Sequence, residues 1–213
     1  MSLHYKDEEI IIYKTVCGPY DNNAYLVVNP RSNESVIIDA PANPERLIQI
    51  AEQTNVKTIL ITHNHGDHIQ GLTEITTMFD VKVGIGVGAH HTVESDLKFT
   101  INHGDEINIG SLVLMALWTP GHTPGSTCFL VGKHLFSGDT LFPGGPGRSD
   151  SPEKLDQLLD SINTKLLVLD TQTIFYPGHG EDGDLQTSVQ EYDVFNSKQR
   201  PYGLCGDVRW LDS

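Results

Sequence analysis

The sequence predicts an α/β fold on three observations. Short apolar runs of β type alternate with amphipathic helical stretches, the segments richest in His, Asp, Gly and Pro fall where β-like runs end, and no low-complexity linker divides the 213 residues. The length allows one large domain or two small ones. Without a linker, the reading is a single domain over residues 1–213. The order strands, helix, strand, helix, strands, helix, strand, helix resembles two similar halves, and is read as two packed sheets with helices outside.

Ile10 to Val16, Tyr25 to Val28 and Val36 to Ile38 read as antiparallel strands, separated by turn-rich Gly18-Pro19-Tyr20-Asp21-Asn22-Asn23 and Asn29-Pro30-Arg31-Ser32-Asn33. Asn43 offers an N-cap, with Pro44 at the first helical position and Leu47, Ile48, Ile50 and Ala51 as an apolar face. A strand at Thr58 to Thr62 runs into His63-Asn64-His65-Gly66-Asp67-His68. Ile69, Leu72, Ile75 and Phe79 then repeat at helical spacing, so the polar cluster occupies a strand-to-helix turn.

Strands follow at Val81 to Ile85, Glu106 to Ile109, Leu112 to Trp118, Thr127 to Val131 and His134 to Ser137. Ser151-Pro152 caps a second helix with Leu155, Leu158, Leu159 and Ile162 at i, i+3, i+4 and i+7. A strand from Thr173 to Tyr176 leads to Pro177-Gly178-His179-Gly180, and a last helix spans about Leu185 to Asn196.

Lys and Arg number 14 against 28 Asp and Glu, a formal charge of −14, with no basic patch. Such a surface repels phosphate backbones and anionic headgroups, which excludes nucleic acid and membrane as expected partners. No apolar run approaches the roughly 20 residues of a membrane span. The N-terminus lacks the pattern of a signal peptide, so a cytoplasmic location is expected. Cys17, Cys128 and Cys205 have no C-x-x-C spacing and read as buried or semi-buried thiols.

His63, His65, Asp67 and His68 place four metal-competent side chains within six residues. His63 and His65 can aim at one ion, while Asp67 and His68 are carried round by the following helix, which suggests two neighbouring sites rather than one tetrahedral site. His122 lies in Thr119-Pro120-Gly121-His122-Thr123-Pro124, Asp139 in Phe136-Ser137-Gly138-Asp139, and His179 after Tyr176-Pro177-Gly178. Each follows a β-like run, where α/β proteins place their sites.

This set resembles the metallo-β-lactamase fold hydrolases. Ser137-Gly138-Asp139-Thr140-Leu141-Phe142 and Gly147-Arg148-Ser149-Asp150 are similar to their glyoxalase II-like, hydroxyacylglutathione hydrolase-like branch. The resemblance implies an αββα sandwich of two mixed sheets with helices on the outer faces. It assigns His63, His65 and His122 to one metal, Asp67, His68 and His179 to a second, and Asp139 to a bridge. It implies two divalent ions, zinc first with iron or manganese as alternatives. Asp67 and Asp139 become the catalytic carboxylates, and a metal-bridging hydroxide attacks the carbonyl of a small thioester. Two such ions, two carboxylates and a hydroxide sum to +1, which keeps the cluster a Lewis acid.

Asp rather than Cys at position 139 departs from the antibiotic-degrading enzymes of the fold, and His rather than Glu at 65 from the flavodiiron oxygen reductases. Only 34 residues follow His179, so the expected form lacks the helical C-terminal domain. The alternatives are a mononuclear iron persulfide dioxygenase sharing His63, His122 and Asp139, a lactone or other ester hydrolase, and a non-catalytic metal-binding sensor.

Arg148 resembles the family position from which a basic residue meets an anionic substrate group, the alternative being a surface arginine paired with Asp150. Tyr176 is a second substrate-binding candidate, weighed against a core tyrosine. Arg200, Tyr202 and Arg209 are rim candidates read first as tail residues. His90 and His91 read as surface residues near a helix start, and His4 as part of a terminal arm that disorder would suit. The expected partner is a small molecule, and homo-oligomerisation is left open.

Overall fold

The computed structural model describes residues 2–89 and 98–212; His90 and His91 lie outside them. The first half builds a seven-stranded sheet from β1 (Ser2–Lys6), β2 (Ile11–Cys17), β3 (Asn22–Val28), β4 (Glu34–Ile38), β5 (Asn55–Ile61), β6 (Lys82–Gly86) and β7 (Lys98–Ile101), ordered as in the chain. The first four pair antiparallel. Those from β4 to β7 pair parallel, around α1 (Glu45–Ala51), α2 (Gly66–Ile69) and α3 (Leu72–Phe79).

The second half supplies β8 (Glu106–Ile109), β9 (Leu112–Trp118), β10 (Thr127–Val131) and β11 (His134–Gly138), then a small hairpin of β12 (Leu141–Phe142) and β13 (Gly145–Pro146). After α4 (Pro152–Ser161), β14 (Ile174–Pro177) and β15 (Gly183–Asp184) complete a six-stranded mixed sheet, and α5 (Leu185–Ser197) follows.

Strand periodicity builds the layers. On β3, Tyr25 and Val27 face the other sheet with Val36, Ile38, Leu60, Phe129 and Phe136. Ala24, Leu26 and Val28 face α1 and α3 with Leu47, Ile48, Leu72 and Ile75. A strand buried on both faces loses the apolar/polar alternation, and all seven β3 residues are buried. The outer layer of the second sheet packs Leu155, Leu158, Tyr192, Phe195 and Trp210 beneath α4 and α5. Helix, sheet, sheet, helix is the resulting architecture.

The local differences from expectation have physical reasons. Asn43 sits at φ 58° and does not cap α1, whose N-cap is Pro44. Ser151 does cap α4, accepting from the Lys154 amide. The helix after the histidine cluster is broken at Gly71, whose N–H bonds the Ala40 carbonyl. A side chain there would stand 2.2 Å from the Pro41 carbonyl oxygen. His4 is no loose arm: β1 pairs with β2, and His4 contacts Asp182. Cys205 is exposed, unlike Cys17 and Cys128. No helix among the described residues is long and apolar enough to cross a membrane.

Tyr176 belongs to the layer between the sheets at 3% exposure, its hydroxyl 2.8 Å from His134 Nδ1, so it does not reach a substrate cleft. Burial pushes both Tyr176 and Tyr25 above the usual tyrosine range, and the Asp182 charge adds to the shift. In the unfolded chain both ionise near pH 10, while the folded protein keeps their protons. The unfolded state therefore binds fewer protons above that pH, and stability falls as pH rises, by up to about 1.4 kcal/mol per pH unit for each. Thermal unfolding across alkaline pH is expected to show this decline, and Tyr176→Phe to make it less steep.

Candidate metal centre

The centre lies at one edge of the sandwich, where β5, β9, β11 and β14 end. The sheets are tied together there: the Thr127 amide bonds the Thr62 carbonyl at 2.8 Å, and the Asn23 amide bonds the Gly178 carbonyl at 2.7 Å. Gly138 turns the chain at φ 50° within close range of Thr62, which a side chain would foul.

Residues far apart in sequence converge on three overlapping sets. His63, His65 and His122 form one, Asp67, His68 and His179 another, and His63, His68 and Asp139 a third that joins them; within each, ligand atoms lie within 4.8 Å of one another. His65 Nδ1 stands 3.1 Å from His63 Nε2 and 3.0 Å from His122 Nε2. Across the centre, Asp67 Oδ2 is 3.2 Å from His179 Nε2 and 3.7 Å from His68 Nε2. Asp139 faces both groups, Oδ1 at 3.4 Å from His68 and Oδ2 at 3.8 Å from His122 and 3.7 Å from His179.

The outer hydrogen bonds set the tautomers. His122 Nδ1 donates to the Arg148 carbonyl at 2.8 Å, and His179 Nδ1 to the Tyr20 carbonyl at 3.0 Å. His68 Nδ1 donates to Asp39 Oδ2 at 2.8 Å. A proton held on Nδ1 leaves the Nε2 lone pair turned inward, the usual arrangement behind a metal-binding imidazole. Asp39 also accepts from the Thr62 amide and hydroxyl, both at 2.8 Å, and that hydroxyl lies 3.2 Å from His63 Nδ1. Asn22 Nδ2 donates to Asp67 Oδ2 at 2.8 Å.

Sequence reasoning missed Asp39 and Asn22 as site residues. Asp39 follows a β-like run, as Asp139 does, but stands alone; nothing in its neighbourhood marks it as the partner of His68, 29 residues on.

Burial lowers the basicity of His63 and His65, and neighbouring histidines add to it. For Asp67, burial would raise the carboxyl, but the Asn22 hydrogen bond and the His68 charge hold it below the usual range. Burial opposes charge on His68 too, yet Asp39 and Asp139 raise it to about 10. Asp139 is held far below the ordinary carboxylate range against its burial, chiefly by His68 and then by His63.

These residues fit bound cations. His68 Nε2 and Asp139 Oδ1 are buried 3.4 Å apart without a hydrogen bond, an ion pair of poor geometry that a cation replacing the imidazole proton would satisfy better. Gly178 keeps that space open: a Cβ there would stand 2.3 Å from Asp139 Oδ1 and 2.5 Å from His68 Cε1. Donors of three imidazoles on one side, and two imidazoles with a carboxylate on the other, suit zinc, iron or manganese.

A cleft of about 500 Å³ opens beside His179, lined by Phe142, Arg148, Glu181, Asp207 and Arg209 among others. Arg148 does reach this cleft, but its side chain pairs with Asp207 at 3.0 Å, not with Asp150, which pairs with Lys154.

An αββα sandwich carrying a buried His/Asp cluster where its strands end defines a metal-binding α/β protein of the hydrolase type. The chain belongs to the metallo-beta-lactamase superfamily, whose family model matches residues 17–179. A probable metallo-hydrolase of Bacillus subtilis, YqgX, is 32% identical over 84% of this chain and 94% of its own length. The hydroxyacylglutathione hydrolase of Idiomarina loihiensis is 33% identical over 75% of this chain, but only 62% of that enzyme is spanned. Among solved structures, the BLEG-1 B3 metallo-beta-lactamase superposes with TM-score 0.76 at 29% identity, covering 84% of this chain and 96% of that one. TTHA1623 in a di-iron-bound form gives TM-score 0.72 at 29% identity, covering 84% and 97%.

Proposed function

We propose that the protein is a dinuclear metal hydrolase that cleaves a small thioester at its carbonyl, with two zinc ions as its cofactor. The reading rests on one observation above the others: two ligand sets meet at a single carboxylate, Asp139, which faces both. A closed structural site usually stops at four ligands, and seven would be redundant there. The likeness to hydroxyacylglutathione hydrolases supports the thioester, and that to a protein solved in di-iron form supports two ions.

His63, His65 and His122 would hold one ion, Asp67, His68 and His179 the other, and Asp139 both. Bound divalent ions supply Lewis acidity: they polarise a carbonyl and bring water toward ionisation near neutral pH. The chain does the rest. Buried His63 stays neutral, so its lone pair is available. The Arg148, Tyr20 and Asp39 acceptors keep three further imidazoles aimed inward. Asp67 and Asp139 remain ionised, which keeps both available as ligands and as hydrogen-bond acceptors that orient a hydrolytic water. The cleft beside His179 admits a small substrate, and Arg148 at its rim meets anionic groups.

Metal analysis after metal-replete purification, combined with turnover of S-lactoylglutathione, tests this reading. The expected result is about two ions per chain and thioester hydrolysis that a chelator abolishes. Fewer than about one ion per chain would overturn it. A single iron with oxygen uptake on a glutathione persulfide would replace it by a dioxygenase.

A further inference from the structure

The turn that carries His179 follows a strand of the second sheet, but it hangs from the first. The Pro177 carbonyl accepts from the Tyr25 hydroxyl at 2.7 Å and from Asn23 Nδ2 at 2.9 Å, and the Gly178 carbonyl from the Asn23 amide at 2.7 Å. Beyond the ligand, the Gly180 carbonyl accepts from Asn23 Nδ2 and from Lys14 Nζ, both at 2.9 Å. Lys14 Nζ also donates to Asp182 Oδ1 at 2.9 Å, and His4 of β1 contacts the other oxygen of that carboxylate. His179 is thus anchored on both sides by residues of β1, β2 and β3.

Lys14 stands on the face of β2 that Ile12 turns toward the second sheet, opposite Tyr25 in the register and with its amine 6.0 Å from the Tyr25 ring. Its side chain is only 12% exposed. An ammonium in such a place costs desolvation unless it is matched, and here a carbonyl and a carboxylate of one turn match it. An exposed pair such as Lys57 with Glu34 adds little to any structure. Lys14 differs because one acceptor is the backbone carbonyl of the residue after the ligand, so a charge-assisted hydrogen bond fixes the peptide next to His179. Asn23 and Tyr25, at 1% and 2% exposure, are core supports of the same turn. His63 and His122 are backed elsewhere, by the Thr62 hydroxyl and the Arg148 carbonyl. His4, Lys14, Gly180 and Asp182 all lie outside the matched residues 17–179, so this fastening is not part of the matched family pattern.

We propose that Lys14 is a positioning residue for His179. By holding the Gly180 carbonyl and Asp182 it sets where that imidazole stands, and with it the affinity for the ion of Asp67, His68 and His179, but not for the ion of His63, His65 and His122. The choice between ions rests on the two-ion reading; the ordering of the turn does not.

Two measurements on the full chain test this. In the metal-free protein, hydrogen exchange over residues 177–184 is expected to be about tenfold faster in Lys14→Met and close to wild type in Lys14→Arg, with α1 and α4 unaltered. Zinc titration against a chromophoric chelator measures the two binding steps, and imidazole nitrogen shifts assign each to its histidines. The step of His68 and His179 is expected to be about tenfold weaker in Lys14→Met and largely restored in Lys14→Arg, while the other step keeps its wild-type affinity. Unaltered exchange over 177–184, or two unaltered steps, would overturn the proposal. Faster exchange throughout the chain, or equal weakening of both steps, would overturn it as well, by reducing Lys14 to a general support of the fold. A wild-type protein that binds a single ion, with exchange of the turn still raised in Lys14→Met, would sink the two-ion reading while the positioning of the turn stands.

Discussion

Replacing Asp139 with alanine is expected to cut kcat about a thousandfold, ~4 kcal/mol of transition-state stabilisation, while the fold persists. The carboxylate stands between the two ligand sets, with its oxygens 3.4 to 3.8 Å from three imidazole nitrogens. Without it, those nitrogens lose the one group that both sets share, and their mutual repulsion is uncompensated. Bound metal should fall from about two ions per chain to about one or fewer. Circular dichroism should retain the native spectrum, because Asp139 lies at a strand end and packs no core. A variant that kept wild-type turnover with one ion would show that the bridge is dispensable, and would point to a mononuclear enzyme.

Asp39→Asn should give the second large effect, although Asp39 belongs to neither ligand set. Its carboxylate takes hydrogen bonds from His68 Nδ1, the Thr62 amide and the Thr62 hydroxyl, and it is 2% exposed. It also sits at φ 62°, which asparagine tolerates, so the substitution removes charge without straining the backbone. Asparagine offers one acceptor and two donors against three incoming donors, so at least one hydrogen bond becomes a donor-to-donor clash. In the metal-free protein a buried pair with His68 is broken, at a cost of about 3–5 kcal/mol. In the loaded protein His68 loses the partner that fixes its tautomer, and metal affinity should fall about 10- to 100-fold. Competition with a chromophoric chelator measures the affinity, and urea unfolding of the metal-free chain measures the stability. Unaltered values in both would mean that the His68–Asp39 contact does not orient the ligand.

Much of this molecule is legible from local pattern. The strands over Glu106–Ile109, Leu112–Trp118 and Thr127–Val131 follow from β-rich runs between turns, and the Ser151 cap of α4 from its Ser-Pro start. The metal-competent residues stand out because imidazoles and carboxylates clustered beside Gly and Pro have few structural uses. β1 is not legible, since all five of its residues are exposed and only pairing with β2 makes it a strand. The break at Gly71 hides behind a helical period that continues across it. Tyr176 shows why a single polar aromatic is ambiguous: a strand residue next to a site turn can face either the cleft or the sheet packed above it. Local spacing offers Arg148 a partner in Asp150, two residues away, but its partner is Asp207, 59 residues on.

The sequence by itself determined the α/β class, the order of elements and the identity of the side chains able to hold a metal, because periodicity and chemistry are local properties. Only the tertiary structure decided that Asp39 stands behind His68, that Tyr176 is core, and that the tail walls the cleft with Arg209. Those facts depend on which strand ends meet at the sandwich edge, and burial of apolar faces from distant parts of the chain sets that geometry.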